Sequence, residues 1–218
     1  MSNIDDIEKI AQNNLVIAKE EKIVAIEAKR VGKAEIQRAK ARLSLVEKEL
    51  ELAKVRDEFN EDYDNLINKK QECKELLNIP KELIDNVCES IGYSKKVSKV
   101  QKKIAEILKK TAEIEIEIAE DKLKLADETM TIVNERNKLA KIQLKYVKVY
   151  KENAPKEKLS KRERELTHQQ KVLIEARDNV INRTKNIKKK ENKLADLKRE
   201  LSIKLAEREK IRHTSIAI

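Results

Sequence analysis

Apolar residues recur along this chain every seven positions, in three separate runs. The most regular run is central: Val97, Ile104, Thr111, Ile118, Leu125, Ile132, Leu139 and Tyr146 stand seven apart, and Thr111 alone interrupts the apolar column. A helix of 3.6 residues per turn keeps such a column in phase over this length only when it is wound on a partner. The next position repeats as well, as Ala105, Ala112, Ala119, Ala126, Val133, Ala140 and Val147. Two adjacent columns make a stripe wider than one partner needs, so this helix, expected over about 95–152, is the middle element with a neighbour on each side.

The flanking runs predict two more long helices. The first, over about 3–77, carries Val24, Val31, Arg38, Leu45, Leu52, Phe59, Leu66 and Cys73, with Ile36, Ala39, Leu43, Val46, Leu50 and Ala53 as a second seam. At 1.5 Å per residue it would reach roughly 110 Å. The third, over about 156–212, has the column Leu159, Leu166, Leu173, Val180, Ile187, Leu194 and Leu201, beside polar companions Gln170, Arg177, Thr184, Glu191 and Lys198. One apolar column with a polar companion marks an edge helix.

The breakers set the connections. Pro80 and Gly92 bracket KELIDNVCESI, which reads as a short elbow helix over about 80–91, with Ser94 as the cap of the middle helix. Asn153, Ala154 and Pro155 read as a hairpin turn. Short connections between long helices make neighbours antiparallel. The expected fold is therefore all-α: a long antiparallel coiled coil, or three-long-helix bundle with a short helical elbow, forming a single elongated domain over 1–218. Counting equal rises places Tyr146 near Arg164, Ile104 near Ala206 and Phe59 opposite Glu115. About twenty N-terminal residues are then left without an intramolecular partner. Their apolar face, Ile4, Ile7, Ile10, Ala11, Leu15 and Ala18, is the candidate self-association site.

Composition supports helices over a globular core. The 218 residues include two Gly, two Pro, no Trp, four Tyr and one Phe, and 41% are charged. Disorder would suit that charge, but disordered chains do not hold columns in phase over fifty residues. Cys73 and Cys88 lack the spacing of a zinc site or a disulfide framework. The opening MSNIDDIEKI has no leader pattern and no window is apolar enough to span a bilayer. The chain is expected in the cytoplasm or an intracellular assembly, a virion included.

Candidate chemistry is sparse. His168 and His213 are far apart among polar neighbours and read as exposed helix residues. No GxSxG, HExxH or Gly-rich phosphate loop occurs, so an enzyme, a cofactor, a metal and a small-molecule substrate are not expected. Asp121, Glu128 and Glu135 stand seven apart where the column Val100, Ile107, Ile114 would have continued. They read first as a solvated flank, and second as acids facing Arg177 or Arg183 to fix the helix register.

Charge is uneven. Lys plus Arg against Asp plus Glu runs 15 to 17 over residues 1–79, 16 to 13 over 80–153, and 19 to 10 over 154–218. The excess is densest around Lys185, Lys188, Lys189, Lys190 and Lys193. Three consecutive lysines cannot share one helix face, so a solvated surface is the first reading and a footprint for phosphates the second. The function expected is thus a non-enzymatic structural or scaffolding coiled-coil protein that self-associates or bridges helical partners. The alternative is a basic module binding anionic membrane or nucleic acid through its third helix.

Overall fold

The computed structural model of the chain describes residues 2–72 and 81–216. They form three helices, α1 (Ser2–Glu72), α2 (Lys81–Lys151) and α3 (Lys156–Ile216). The fold is all-α, and among the described residues only 152–155 lie outside helix. Cys73 and Pro80, where the first helix and the elbow are expected to meet, lie outside the described residues.

The elbow helix does not form as a separate element. Residues 81–91 are the opening turns of α2, which continues through Gly92 without a left-handed residue. A glycine in a helix interior costs about 1 kcal/mol, too little to interrupt 71 residues held by tertiary packing. Ser94 does not cap a new helix; its hydroxyl donates to Asn60 Oδ1 at 2.8 Å. The α2–α3 turn is as expected. Asn153 takes the left-handed conformation at φ 52°, and the Ala154 amide reaches back to the Val149 carbonyl at 3.2 Å, closing α2 before Pro155.

By packing, the chain divides into two units, one of residues 1–37 and 117–191, the other of 38–116 and 192–218. In the first, α1 runs antiparallel to α2. Lys151 pairs with Asp5 at 3.2 Å and Glu8 at 2.6 Å, Arg136 with Glu21, Lys29 with Asp127 at 2.6 Å and Lys122 with Glu35 at 3.4 Å. The partner numbers sum to 156–159 throughout, the signature of one continuous register. That register sets Ala11 across from Val147, Ala18 from Ala140, Ala25 from Val133 and Gly32 from Ala126, and all eight are buried. A Cβ added to Gly32 would stand 3.5 Å from the Leu123 Cα and amide nitrogen. Small residues here let two backbones approach closely.

The second unit repeats the scheme. Arg42 pairs with Glu115 at 2.9 Å and Lys109 with Glu47 at 3.8 Å, Arg56 donates to Gln101 at 2.7 Å, and Ser98 and Lys95 engage Asp57 and Asp64. Val46, Ala53 and Asn60 of α1 are buried across from Ala112, Ala105 and Ser98 of α2. Phe59 therefore lies level with Ser98 and not with Glu115, because α2 starts at Lys81 and the hairpin midpoint falls earlier in the chain.

On its other side α2 turns the large-residue column toward α3. Ile104, Thr111, Ile118 and Leu139 are buried, while Val97, Leu125, Ile132 and Tyr146 are half-buried. Thr111 is tolerated at 1% exposure because its hydroxyl donates to the Ile107 carbonyl at 2.8 Å. Leu173 and Ile187 of α3 are buried, and Leu159, Leu166, Val180, Leu194 and Leu201 half-buried, as an edge helix should be. The Tyr146 hydroxyl meets Glu163 at 3.4 Å, one residue from the level of Arg164.

If small size is what the α1–α2 contact demands, Ala140→Leu should destabilise the protein by about 1–3 kcal/mol through overpacking. Ala34→Leu, at an exposed position of α1, should stay within about 0.5 kcal/mol. Urea unfolding followed by circular dichroism measures both. Equal curves for the two variants would contradict the close-packed seam.

Candidate interaction surfaces

Three surfaces singled out by the sequence acquire definite surroundings. The N-terminal face comes first. Ala11 and Ala18 are buried, and Ile4, Ile7 and Leu15 are half-buried against α2, bracketed by the pairs of Lys151 and Arg136. The premise of an unpartnered overhang therefore fails. It rested on a hairpin midpoint placed too far along the chain, and the true register carries α1 to the end of α2.

The second surface is the acidic flank of α2, in the first unit. Asp121 is buried, and both Arg183 (3.3 Å) and Lys190 (2.8 Å) reach it from α3. Arg183 also pairs with Glu128 at 2.7 Å, using Oε1 and leaving the buried Oε2 unpartnered, and Lys190 pairs with Glu117 at 3.1 Å. Glu135 accepts from Gln169 Nε2 at 2.6 Å and from Lys138 at 2.7 Å. The flank is thus not solvated. It faces Arg183, the register arrangement, while Arg177 takes no part in it. Burial pushes the Asp121 carboxyl up, but hydrogen bonds and charge from Lys190 and Arg183 outweigh it and hold the pKa below 3.8. The Lys138 hydrogen bond, opposed by burial and aided by Gln169, lowers that of Glu135.

The third is the basic cluster. Lys190 is committed to Asp121 and Glu117, so it does not belong to a free cationic surface. Lys185, Lys188 and Lys189 are exposed in the first unit and Lys193 in the second. Lys198 lies 3.8 Å from Glu115. His168 and His213 are exposed. Among the described residues no group of three or more His, Cys, Asp or Glu could hold a metal ion, and no helix is long and apolar enough to cross a membrane.

A fourth surface departs from the sequence expectation. The principal apolar column of α1 does not face α2. Ile10, Ile17, Val24 and Val31 are exposed in the first unit, with Val16, Ile23 and Ile26 beside them, and Leu45, Leu52, Phe59 and Leu66 are exposed in the second, with Val55 and Tyr63. Phe59 and Tyr63 stack at 5.8 Å between centroids. The second seam, Ala39, Val46 and Ala53 with half-buried Ile36, Leu43 and Leu50, is the one that packs. Single exposed apolar residues are ordinary; in each unit these residues form a stripe along α1. No protein-family model, curated protein or solved structure matches the chain.

The Asp121 network has a pH signature. Because the folded pKa is lowered, the stability it supplies is present above the ordinary value of 3.8 and is lost as pH falls through the folded value. Asp121→Asn should cost about 1–3 kcal/mol near pH 7, and the cost should shrink below about pH 4. Denaturant unfolding of both proteins at pH 7 and pH 3 reads the difference. A cost independent of pH would mean that the network does not hold α2 to α3.

Proposed function

We propose that this chain is a non-enzymatic structural protein that assembles, with further copies or other helical proteins, through the apolar column of α1. The observation that carries this reading is the exposure of that column, eight of whose nine members from Ile10 to Leu66 are large and apolar. A seven-residue period, kept from Ile10 to Val31 in the first unit and from Leu45 to Leu66 in the second, matches a helical partner, since only another helix keeps step with it. The acids of the α2 flank, Asp121 and Glu135, hold α2 to α3, which supports a structural task over catalysis. The anion-binding alternative keeps Lys185, Lys188, Lys189 and Lys193 but loses Lys190 to its acidic partners.

Sedimentation equilibrium tests the reading. Wild type should associate in a concentration-dependent manner, and Val24→Lys with Leu52→Lys should lower the mass while leaving helicity unchanged. Vesicles with anionic headgroups and duplex DNA form the second arm. A wild-type chain that stays monomeric yet binds either polyanion, with steep loss on adding salt, would overturn the structural reading in favour of the basic module.

A further inference from the structure

Resting on that structural reading, we propose that α1 of the second unit docks on the same segment of a second copy, antiparallel, with the two-fold axis at Val55. Along this segment the exposed stripe runs Leu45, Lys48, Leu52, Val55, Phe59, Asp62 and Leu66, alternating steps of three and four. That is the spacing of a two-helix seam.

The stripe is self-complementary only when reversed. With the axis at Val55, Leu45 meets Leu66 of the second copy, Leu52 meets Phe59, and Val55 meets its own equivalent. Facing numbers sum to 110 or 111, a variation of one, narrower than the variation of five between 154 and 159 that α1 and α2 show in the same unit. Lys48 then falls opposite Asp62, twice by symmetry, as an isologous contact requires. A parallel pair would set lysine on lysine and aspartate on aspartate, and seam charges of that kind exclude the alignment. Both residues are exposed and neither has an ion pair in the chain among the described residues. Their charges are therefore available to the contact.

The area is sufficient. Leu45, Leu52, Val55, Phe59, Tyr63 and Leu66 are 40% to 65% exposed. Together they offer on the order of 600 Å² per copy before the stems of Lys48 and its neighbours are counted, against about 800 Å² per partner in a standard interface. Glu51 and Glu58 lie on one flank and face each other across the axis, a like-charge cost that added salt relieves.

A charge cycle and a distance measurement test the geometry on the full chain. Lys48→Asp and Asp62→Lys should each weaken self-association by roughly tenfold, as two symmetry-related pairs turn from attraction to repulsion. The double variant should recover to near the wild-type constant. Spin labels at Ser44→Cys or Glu58→Cys, with Cys73→Ser and Cys88→Ser, should give axial separations of about 35 Å and under 10 Å. Association of wild type without recovery in the double variant, or equal short distances at both sites, would overturn the antiparallel pair while leaving the structural reading intact. A monomeric wild type would overturn the pair, and overturns the structural reading as well only if it also binds one of the polyanions.

Discussion

The close approach of α1 and α2 is the constraint on which the rest of the structure depends. Small residues at every seventh position of α1, alanine or glycine from Ala11 to Ala39 and at Ala53, met by alanine, valine and serine on α2, bring the backbones near enough that Gly32 has Leu123 main-chain atoms within van der Waals reach of a Cβ. Such a contact yields little apolar area per residue, so its stability is spread thinly over its length. The ion pairs that line it, from Lys151 with Asp5 and Glu8 in one unit to Lys95 with Asp64 in the other, are partly exposed and set register more than they add stability. What the small residues decide is orientation. By turning the alanine column inward they turn the leucine and valine column, about 100° away round the helix, outward.

The α2–α3 contact obeys a different principle. Large side chains fill it, and in the first unit the acids Asp121, Glu128 and Glu135 displace the apolar column on one flank. Buried charges with partners contribute less net stability than apolar packing of the same volume, yet breaking one pair is expensive. The network formed by Arg183 and Lys190 therefore selects one alignment of α3 by penalising the others.

Much of this is legible in the residues, and the failures have physical causes. The columns at Ile104, Ile118 and Leu139, and at Leu173 and Ile187, declare their helices because large residues held at a period of seven over this length require a helix packed along its whole face. The left-handed Asn153 before Pro155 declares its turn. Gly92 misleads because propensity is local: a single glycine can be absorbed by a long packed helix, and reading it as a stop displaces the register of α1 and creates an overhang that does not exist. The α1 face misleads for a second reason. Hydropathy weights Leu45, Leu52 and Phe59 above Ala39, Val46 and Ala53, whereas helix packing at close range rewards small size. The acidic flank is open to two readings in sequence, and only the positions of Arg183 and Lys190 choose between them.

Adjacent residues of α1 have opposite surroundings: the small one is sealed inside the chain, the large one is exposed. Leu52 and Ala53 make the sharpest pair, at 62% and 5% exposure. Thiol modification rates of Leu52→Cys and Ala53→Cys, with both native cysteines changed to serine, measure the difference across protein concentration. The thiol at 53 should be protected at every concentration, and that at 52 should react freely in dilute solution and become protected as the chain associates. Protection at 52 that does not depend on concentration would show that the large column is packed within the chain, and would contradict both the inward alanine seam and the proposed assembly.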